Sequence, residues 1–567
     1  MCIDLLLYVS NPTSSFPIIL RILDQFKTLS GYKLNLQKSE YLTINALADS
    51  LPQSLFPFKR VIEGFRYLGI FVTKTFTELF SRNFGLLVDK CKEELARWAS
   101  LPLSLLGRVN LIKMVVLPRF LYPFQHIPIF INKSFFTKLD QAINSFLWCN
   151  KRARIKMATL QLSRSEGGLA LPNVRQYYWA SNINKILFWN TNLAVGSRPL
   201  WAQMEATSSD LSLWSLVCSQ LPNPVKKISS NPIVSNTLKI WTQFRKQFGL
   251  HTASSLAPIH KNHHFLPSCS DPVFQVWSNK GLRSIKDLYV NGIFSSFAEL
   301  SAKFNLPNTH LFRYFQIRNF VRNKYPQFPN RPPVTMIDSI LSLDTGQKKL
   351  ISIIYDDIFK LVPTRLDSLR AAWDQDLGIN MSDEQWEEVL DLVHTSSICA
   401  RHKLLQCKIL HRVHFTNAKL ARIYPDRSDA CNRCKQSPAD YIHMFWSCSK
   451  LSGFWAAVFD TLGTALGMRI EPDPLTALFG ISLTPNAPSY IRRVIAFTTL
   501  LARRLILLNW IHPSPPSHNR WIHEILYCVK LEKLRFSLGG SLESFHKTWQ
   551  PLLNHIGTLT IVNESNN

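Results

Sequence analysis

The sequence predicts an α+β protein in which a small sheet near the amino terminus precedes a mainly α-helical remainder. Three patterns favour this class: strand-like segments confined to the first 72 residues, apolar residues at helical spacing from about residue 80 onward, and a cysteine and histidine cluster near residue 440. A chain of 567 residues should contain more than one domain, because single cores rarely grow beyond about 250–300 residues.

The first elements follow from local patterns. A helix is expected to begin near Ser15, to carry apolar residues at helical spacing from Phe16 to Phe26, and to end before Gly31. Strands are predicted on both sides of it, at residues 5–9, 33–36, 40–44 and 65–72. Three helices are predicted next, at residues 84–100, 104–125 and about 135–147.

The charge balance indicates a polyanionic partner. The chain has 65 basic and 38 acidic side chains, a formal charge of +27. Lys and Arg in such excess typically neutralise phosphates, so RNA or DNA is the expected partner. A generic basic surface is the alternative interpretation.

Cysteine usage and hydropathy bear on the compartment. Most of the eleven cysteines are scattered without the regular spacing of a disulfide framework, which favours cytoplasm or nucleus over secretion. The most apolar run, Val494–Ala502, lies between two arginine pairs and is far too short to span a bilayer. We therefore expect it to be a core helix and expect no membrane partner.

The most specific motif is Cys431-x2-Cys434-x8-His443-x4-Cys448. Three thiolates and one imidazole complete a tetrahedral zinc shell and leave no position open for water. The motif therefore predicts a structural zinc ion. The alternative is that four unrelated residues happen to fall within one short window.

Basic residues surround this motif. Residues 401–435 contain nine Lys or Arg and only two Asp, so the segment is predicted to contact nucleic acid through phosphates. The candidates for this contact are Lys403, Lys408, Arg412, Arg433 and Lys435. A solvated helix face is the alternative for each of them.

Several segments together resemble the reverse transcriptases of LINE-type (non-LTR) retrotransposons. They are MCID at residues 1–4, IEGFRYLGIFVT, LPLSLLGRVNLIKMVVLPRF, LSRSEGGLALPN, and LLQCKILHRVHFT with the cysteine cluster that follows it. The resemblance implies the end of a polymerase palm at residues 1–80, a helical thumb at 81–180, a mainly helical connector at 181–400 and a zinc-binding module at 401–567. It also implies a ribonucleoprotein with retrotransposon RNA.

The resemblance also implies where catalysis would lie. The family's motif is an aromatic residue, Ala, Asp and Asp, and here Met1, Cys2, Ile3 and Asp4 occupy those places. Two magnesium ions about 4 Å apart need more than one carboxylate, so Asp4 is expected to be insufficient for polymerisation by this chain alone. Magnesium is expected as a cofactor only if the missing part of the palm is supplied. The remaining contacts with nucleic acid are then expected at Lys33, Lys38, Arg108, Lys113 and Arg119.

These considerations favour a truncated LINE-type reverse transcriptase that retains zinc and nucleic-acid binding. Two alternatives stay open. The chain could be a zinc-dependent RNA- or DNA-binding protein put to host use, or a truncated gene model of a full-length, active polymerase.

Overall fold

The structure is a computed structural model. It describes residues 5–565 apart from 191–197, 210, 221–228, 326–334, 363–365 and 483–486, and side chains are described as far as residue 558. The expectation for Asp4 therefore lies outside the described residues. The fold is mostly helical with a few short strands, as the predicted α+β class requires.

Helices make up most of the described chain. In chain order they are α1 (Pro12–Ser30), α2 (Ala46–Asp49), α3 (Leu86–Ala99), α4 (Leu105–Leu111), α5 (Leu117–His126), α6 (Lys133–Leu147), α7 (Met157–Gln161), α8 (Val174–Leu187), α9 (Leu200–Thr207), α10 (Leu213–Cys218), α11 (Pro232–Gln247), α12 (Pro267–Ser270), α13 (Val273–Asn279), α14 (Phe297–Phe304), α15 (Leu311–Lys324), α16 (Met336–Leu341), α17 (Leu350–Lys360), α18 (Asp367–Leu377), α19 (Asp383–Thr395), α20 (Ala400–Leu410), α21 (Asn417–Ile423), α22 (Ser452–Leu466), α23 (Pro474–Phe479), α24 (Ser489–Leu508), α25 (His518–Leu538) and α26 (Leu542–Ser565). Three π-helical turns occupy Phe80–Gly85, Ile112–Val116 and His443–Ser447.

The described strands form three two-stranded pairs. They are β1 (Glu40–Leu42) parallel to β2 (Lys59–Val61), β3 (Gly64–Tyr67) antiparallel to β4 (Ile70–Thr73), and β5 (Tyr289–Val290) antiparallel to β6 (Ile293–Phe294).

Two of the four predicted strands are wrong and a third is divided. Residues 5–9 and 33–36 form no strand, and residues 65–72 form most of a hairpin instead of one strand. The hairpin turns at Leu68 and Gly69, whose φ angles are 46° and 84°. Positive φ at both central positions is the requirement of a tight two-residue turn. The helix before these strands is confirmed, and Gly31 ends it at φ 74°.

The chain folds into two compact units that alternate along the sequence. Unit 1 comprises Met1–Trp98, Met114–Ala142 and Asn173–Val362, and unit 2 comprises Ala99–Lys113, Ile143–Pro172 and Pro363–Asn567. Two parts of the predicted thumb, residues 99–113 and 143–172, pack with the carboxyl-terminal half of the chain.

Helix α8 is the centre of unit 1. It packs against α5, α11 and α17, and the rings of Tyr177 and Tyr355 stack with their centroids 3.9 Å apart. Tyr178 is buried and its hydroxyl donates to the Ile129 carbonyl at 2.8 Å. Because other helices surround α8, most of its side chains are buried.

Helix α24 is the centre of unit 2. It packs against α20, α22, α23, α25 and α26, and its residues from Val494 to Ala502 are all buried. The prediction of a core helix at this apolar run is therefore confirmed. Among the helices that the structure describes, none is long and apolar enough to cross a bilayer.

A turn at Gly167 and Gly168 joins the 143–172 segment to the rest of unit 2. The Gly167 carbonyl lies 2.8 Å from Nε2 of His411, and the Gly168 carbonyl lies 3.1 Å from Nε2 of His394. A Cβ on Gly168 would lie 2.1 Å from the Leu162 carbonyl oxygen. The backbone at this position is therefore too close to its neighbour for any side chain.

We expect Gly168→Ala to lower the free energy of unfolding by about 2 kcal/mol or more, because the added methyl group must displace backbone. The matched control is Gly453→Ala on α22, where a Cβ meets nothing within 4 Å. That control should be neutral or stabilising by about 0.5 kcal/mol. Chemical denaturation of both variants tests the difference, and equal stability would contradict the close approach.

Candidate metal centre and basic pocket

The first two cysteines of the predicted motif lie in a tight turn. Lys435 donates its backbone N–H to the Cys431 carbonyl at 2.9 Å, and Cys431 donates its own to the Gln436 carbonyl at 2.8 Å. Lys435 takes φ 65°, which reverses the chain after Cys434. This turn brings the sulfurs of Cys431 and Cys434 into the same cluster.

The other two ligands are fixed by the π-helical turn His443–Ser447. Asp440 accepts the His443 backbone N–H at 2.7 Å and so holds the start of the turn. Phe445 is fully buried, and its carbonyl accepts the Trp455 indole N–H at 2.8 Å. Cys448 follows the turn directly and is 1% exposed.

The four side chains converge as the sequence predicts. Their ligand atoms all lie within 4.8 Å of one another, with 3.9 Å between the sulfurs of Cys431 and Cys448 and 3.1 Å between Cys434 Sγ and His443 Nε2. Sulfurs bound to one tetrahedral zinc ion would be about 3.8 Å apart. The cluster can hold a metal ion and its donor set is compatible with structural zinc.

The surroundings shift the pKa values of two of the sulfurs in opposite directions, and burial raises the pKa of the Cys448 thiol to about 11. Desolvation raises the pKa of the Cys431 thiol, but N–H groups of Cys434 and Arg433 donate to it and the pKa falls to about 6. Three thiolates around a divalent ion leave one net negative charge. The guanidinium of Arg433 is 6% exposed, and its Nη2 donates to the Met444 carbonyl at 2.6 Å. Its position beside the cluster compensates that negative charge.

Two of the arginines predicted to contact phosphates are buried in this structure. Arg433 lies inside the metal-binding loop, as just described. Arg108 is 4% exposed, and its guanidinium donates to four backbone carbonyls, those of Ala99, Leu101, Leu103 and Phe146. Both arginines satisfy internal groups in this structure and do not face solvent.

Two other predicted contacts are held in ion pairs. Arg119 pairs with Glu94 in unit 1. Arg412 lies 2.7 Å from the Asp376 carboxylate, and its guanidinium lies 4.1 Å from the centre of the Trp373 ring. Arg412 therefore has a structural role in unit 2.

The remaining predicted residues are at least partly accessible. Lys33, Lys38 and Lys435 are exposed. Lys113, Lys403 and Lys408 are half-buried, and Lys113 donates to the Leu169 carbonyl at 3.3 Å. Lys403 and Lys408 lie on α20 in unit 2.

Unit 2 also contains a basic pocket that sequence patterns did not single out. Its volume is 450 Å³. Its lining combines cationic, imidazole and aromatic side chains, among them Arg154, Arg401, Arg504, His414, Phe415 and Trp510. The Arg154 guanidinium lies 4.2 Å from the centre of the Phe415 ring. The sequence showed the basic excess of the segment that supplies Arg401, but not that Arg154 lines the same pocket.

Like charges crowd one side of the pocket. Burial lowers the pKa of Lys408, and the charge of Arg154 lowers it further. Burial, with smaller effects of Lys408 and Arg154, lowers the pKa of His414 to about 4. The imidazole is therefore neutral at physiological pH, and the positive charge of the pocket lining belongs to its arginines.

No known protein-family model matches this chain. Its function is therefore inferred from the side chains at the metal centre and the pocket.

We expect Cys434→Ser to remove one equivalent of zinc per chain and to destabilise unit 2 by about 2 kcal/mol or more, because the closed shell loses a thiolate. Metal analysis and thermal unfolding measure both effects. Cys149→Ser is the control, since Cys149 is an exposed free cysteine of the same unit. Unchanged metal content in Cys434→Ser would contradict the site.

We expect Arg433→Gln to weaken zinc retention roughly 10- to 100-fold, as loss of an outer-shell partner usually does. Lys435→Gln changes the charge by the same amount at an exposed position two residues away and should retain zinc normally. Competition with a chromogenic chelator measures both affinities. Equal affinities would show that Arg433 does not stabilise the metal centre.

Proposed function

We propose that this chain is a nucleic-acid-binding protein related to LINE-type reverse transcriptases, with a carboxyl-terminal unit stabilised by structural zinc. The observation that carries the proposal is the basic pocket of unit 2, in which arginines and aromatic rings share one lining. The resemblance of the thumb-like and cysteine-rich segments supports the same conclusion.

The charges of the pocket favour a bound anion. Among the described residues that line the pocket, Arg154 and Arg401 have no carboxylate partner, whereas Arg504 pairs with Glu524. The charge of Lys408, which lies outside the lining, acts on Arg154 as well. Unpaired cations that repel one another are stabilised when an anion binds between them. Phosphate suits guanidinium groups, because two N–H groups can bind two of its oxygens.

The aromatic residues favour a nucleotide over a simple anion. Phe415 and Trp510 are half-buried beside the arginines, and such rings provide surfaces for unstacked bases. A volume of 450 Å³ lies within the range of small-ligand pockets, about 300–1,000 Å³. The pocket therefore suits one nucleotide of a single strand, with its phosphate on the arginines.

The metal centre has a structural part in this function. Its four protein ligands leave no position for substrate or activated water. It folds the loop 431–448, which contributes Met444 to the pocket lining. Metal binding thus fixes the position of Met444 in the pocket lining.

In this proposal the chain binds nucleic acid and does not add nucleotides. In the segment that resembles the polymerase motif, Ile3 stands where the family has the first of two aspartates. An isoleucine side chain offers no ligand for magnesium. The zinc centre and the basic pocket do not depend on that motif.

We expect the double variant Arg154→Glu/Arg401→Glu to bind single-stranded RNA at least roughly tenfold more weakly than the parent chain. Loss of two phosphate contacts should also make the salt slope less negative by about 1.4. Fluorescence anisotropy with a labelled oligonucleotide at several salt concentrations measures both quantities.

The matched control is Lys530→Glu/Lys533→Glu, which changes the same charge at two exposed positions of α25. It should retain most of the affinity, because neither lysine lines the pocket. Equal losses in the two double variants would indicate a diffuse basic surface. Absence of RNA and DNA binding by the parent chain would refute the proposed function.

A further inference from the structure

A second group of potential metal ligands lies in unit 2, away from the cysteine motif. The ligand atoms of His402, Glu524 and Cys528 all lie within 4.8 Å of one another. His402 and Cys528 are each 6% exposed, and Glu524 is half-buried. Three different donor types thus meet in a largely buried place.

Two helices supply these residues, α20 and α25. Glu524 and Cys528 are four residues apart on α25, so they lie on one face of that helix, one turn apart. His402 is in the first turn of α20. The group therefore joins segments that are more than 100 residues apart in the sequence.

Hydrogen bonds orient the imidazole. Nδ1 of His402 lies 3.1 Å from Oγ of Ser397, and the same hydroxyl accepts the Cys399 backbone N–H at 3.1 Å. When Nδ1 donates its proton to Ser397, the lone pair of Nε2 is free for a metal. Ligating histidines usually have an outer partner of this kind on the second ring nitrogen.

Hydrogen bonds also orient the carboxylate. Arg504 donates to Oε1 of Glu524, and the sulfur of Cys528 lies 3.9 Å from the same oxygen. The carboxylate is thus held on the side of Cys528, where it can offer an oxygen to a metal. Ligating carboxylates are themselves commonly hydrogen-bonded to an outer group.

We propose that His402, Glu524 and Cys528 form a second metal site, which binds a divalent transition ion of the zinc type. Nitrogen, oxygen and sulfur together suit zinc, whereas calcium and magnesium prefer oxygen alone. On binding, the Cys528 thiol gives its proton to solvent and its sulfur becomes a thiolate ligand. The ion would link α20 to α25 and fix the side of the basic pocket that His402 lines.

Metal counting on the purified full chain tests this second site. The unchanged chain should contain two zinc ions, one for each cluster. Cys528→Ser and Cys434→Ser should each contain one, and the double variant should contain none. Cys149→Ser should keep two, because this exposed cysteine belongs to neither cluster. One zinc in both the unchanged chain and Cys528→Ser would overturn the proposal.

Cobalt titration gives a second measurement that does not depend on zinc surviving purification. Apoprotein should take up two cobalt ions, and His402→Gln should take up one while keeping the absorption of the three-thiolate centre. A His402→Gln chain that still binds two cobalt ions would also overturn the proposal. Neither metal counting nor cobalt titration uses nucleic acid, so the outcomes of both are independent of the RNA-binding test.

Discussion

Unit 2 depends most on one constraint, which is that three cysteine sulfurs and one imidazole must converge at the cluster formed by Cys431, Cys434, His443 and Cys448. Between α21 and the π-helical turn at His443, the chain has no helix or strand of its own. Such a segment gains little from backbone pairing, so a metal ion bound by the four side chains would supply stability that a core supplies elsewhere. Backbone N–H groups lower the pKa of the Cys431 thiol, whereas at Cys448 burial outweighs the nearby charge of Arg433 and raises the pKa.

Arginines of unit 2 that are buried and arginines that are exposed have different physical roles. Arg108 is buried, with its guanidinium hydrogen bonds directed to backbone carbonyls. Arg503 is fully buried and donates to the Ala477 carbonyl at 2.6 Å. Each stabilises chain segments that would otherwise leave carbonyls unsatisfied in the interior. Arg154 and Arg401 are exposed instead. Only this second group can exchange water for phosphate at low cost, so net charge alone overstates the binding surface.

The basic pocket depends on packing between distant segments. The turn at Gly167 and Gly168 holds residues 143–172 against α19 and α20 through two histidines. That packing brings Arg154 over the ring of Phe415. Helix α24 contributes Arg504 from a third segment. An affinity for nucleic acid would therefore respond to changes in the core of unit 2 as well as to changes at its surface.

The sequence by itself determined the features that depend on near neighbours. Helix α1 and its end at Gly31, the buried run within α24 and the four-ligand motif are all set by short-range spacing and residue type. Only the tertiary structure decided which basic side chains are buried. It also placed Arg154 beside Phe415 and His402 beside Cys528. The physical reason is that burial and long-range contacts depend on how helices pack, and helical periodicity identifies an apolar face without specifying the partner that covers it.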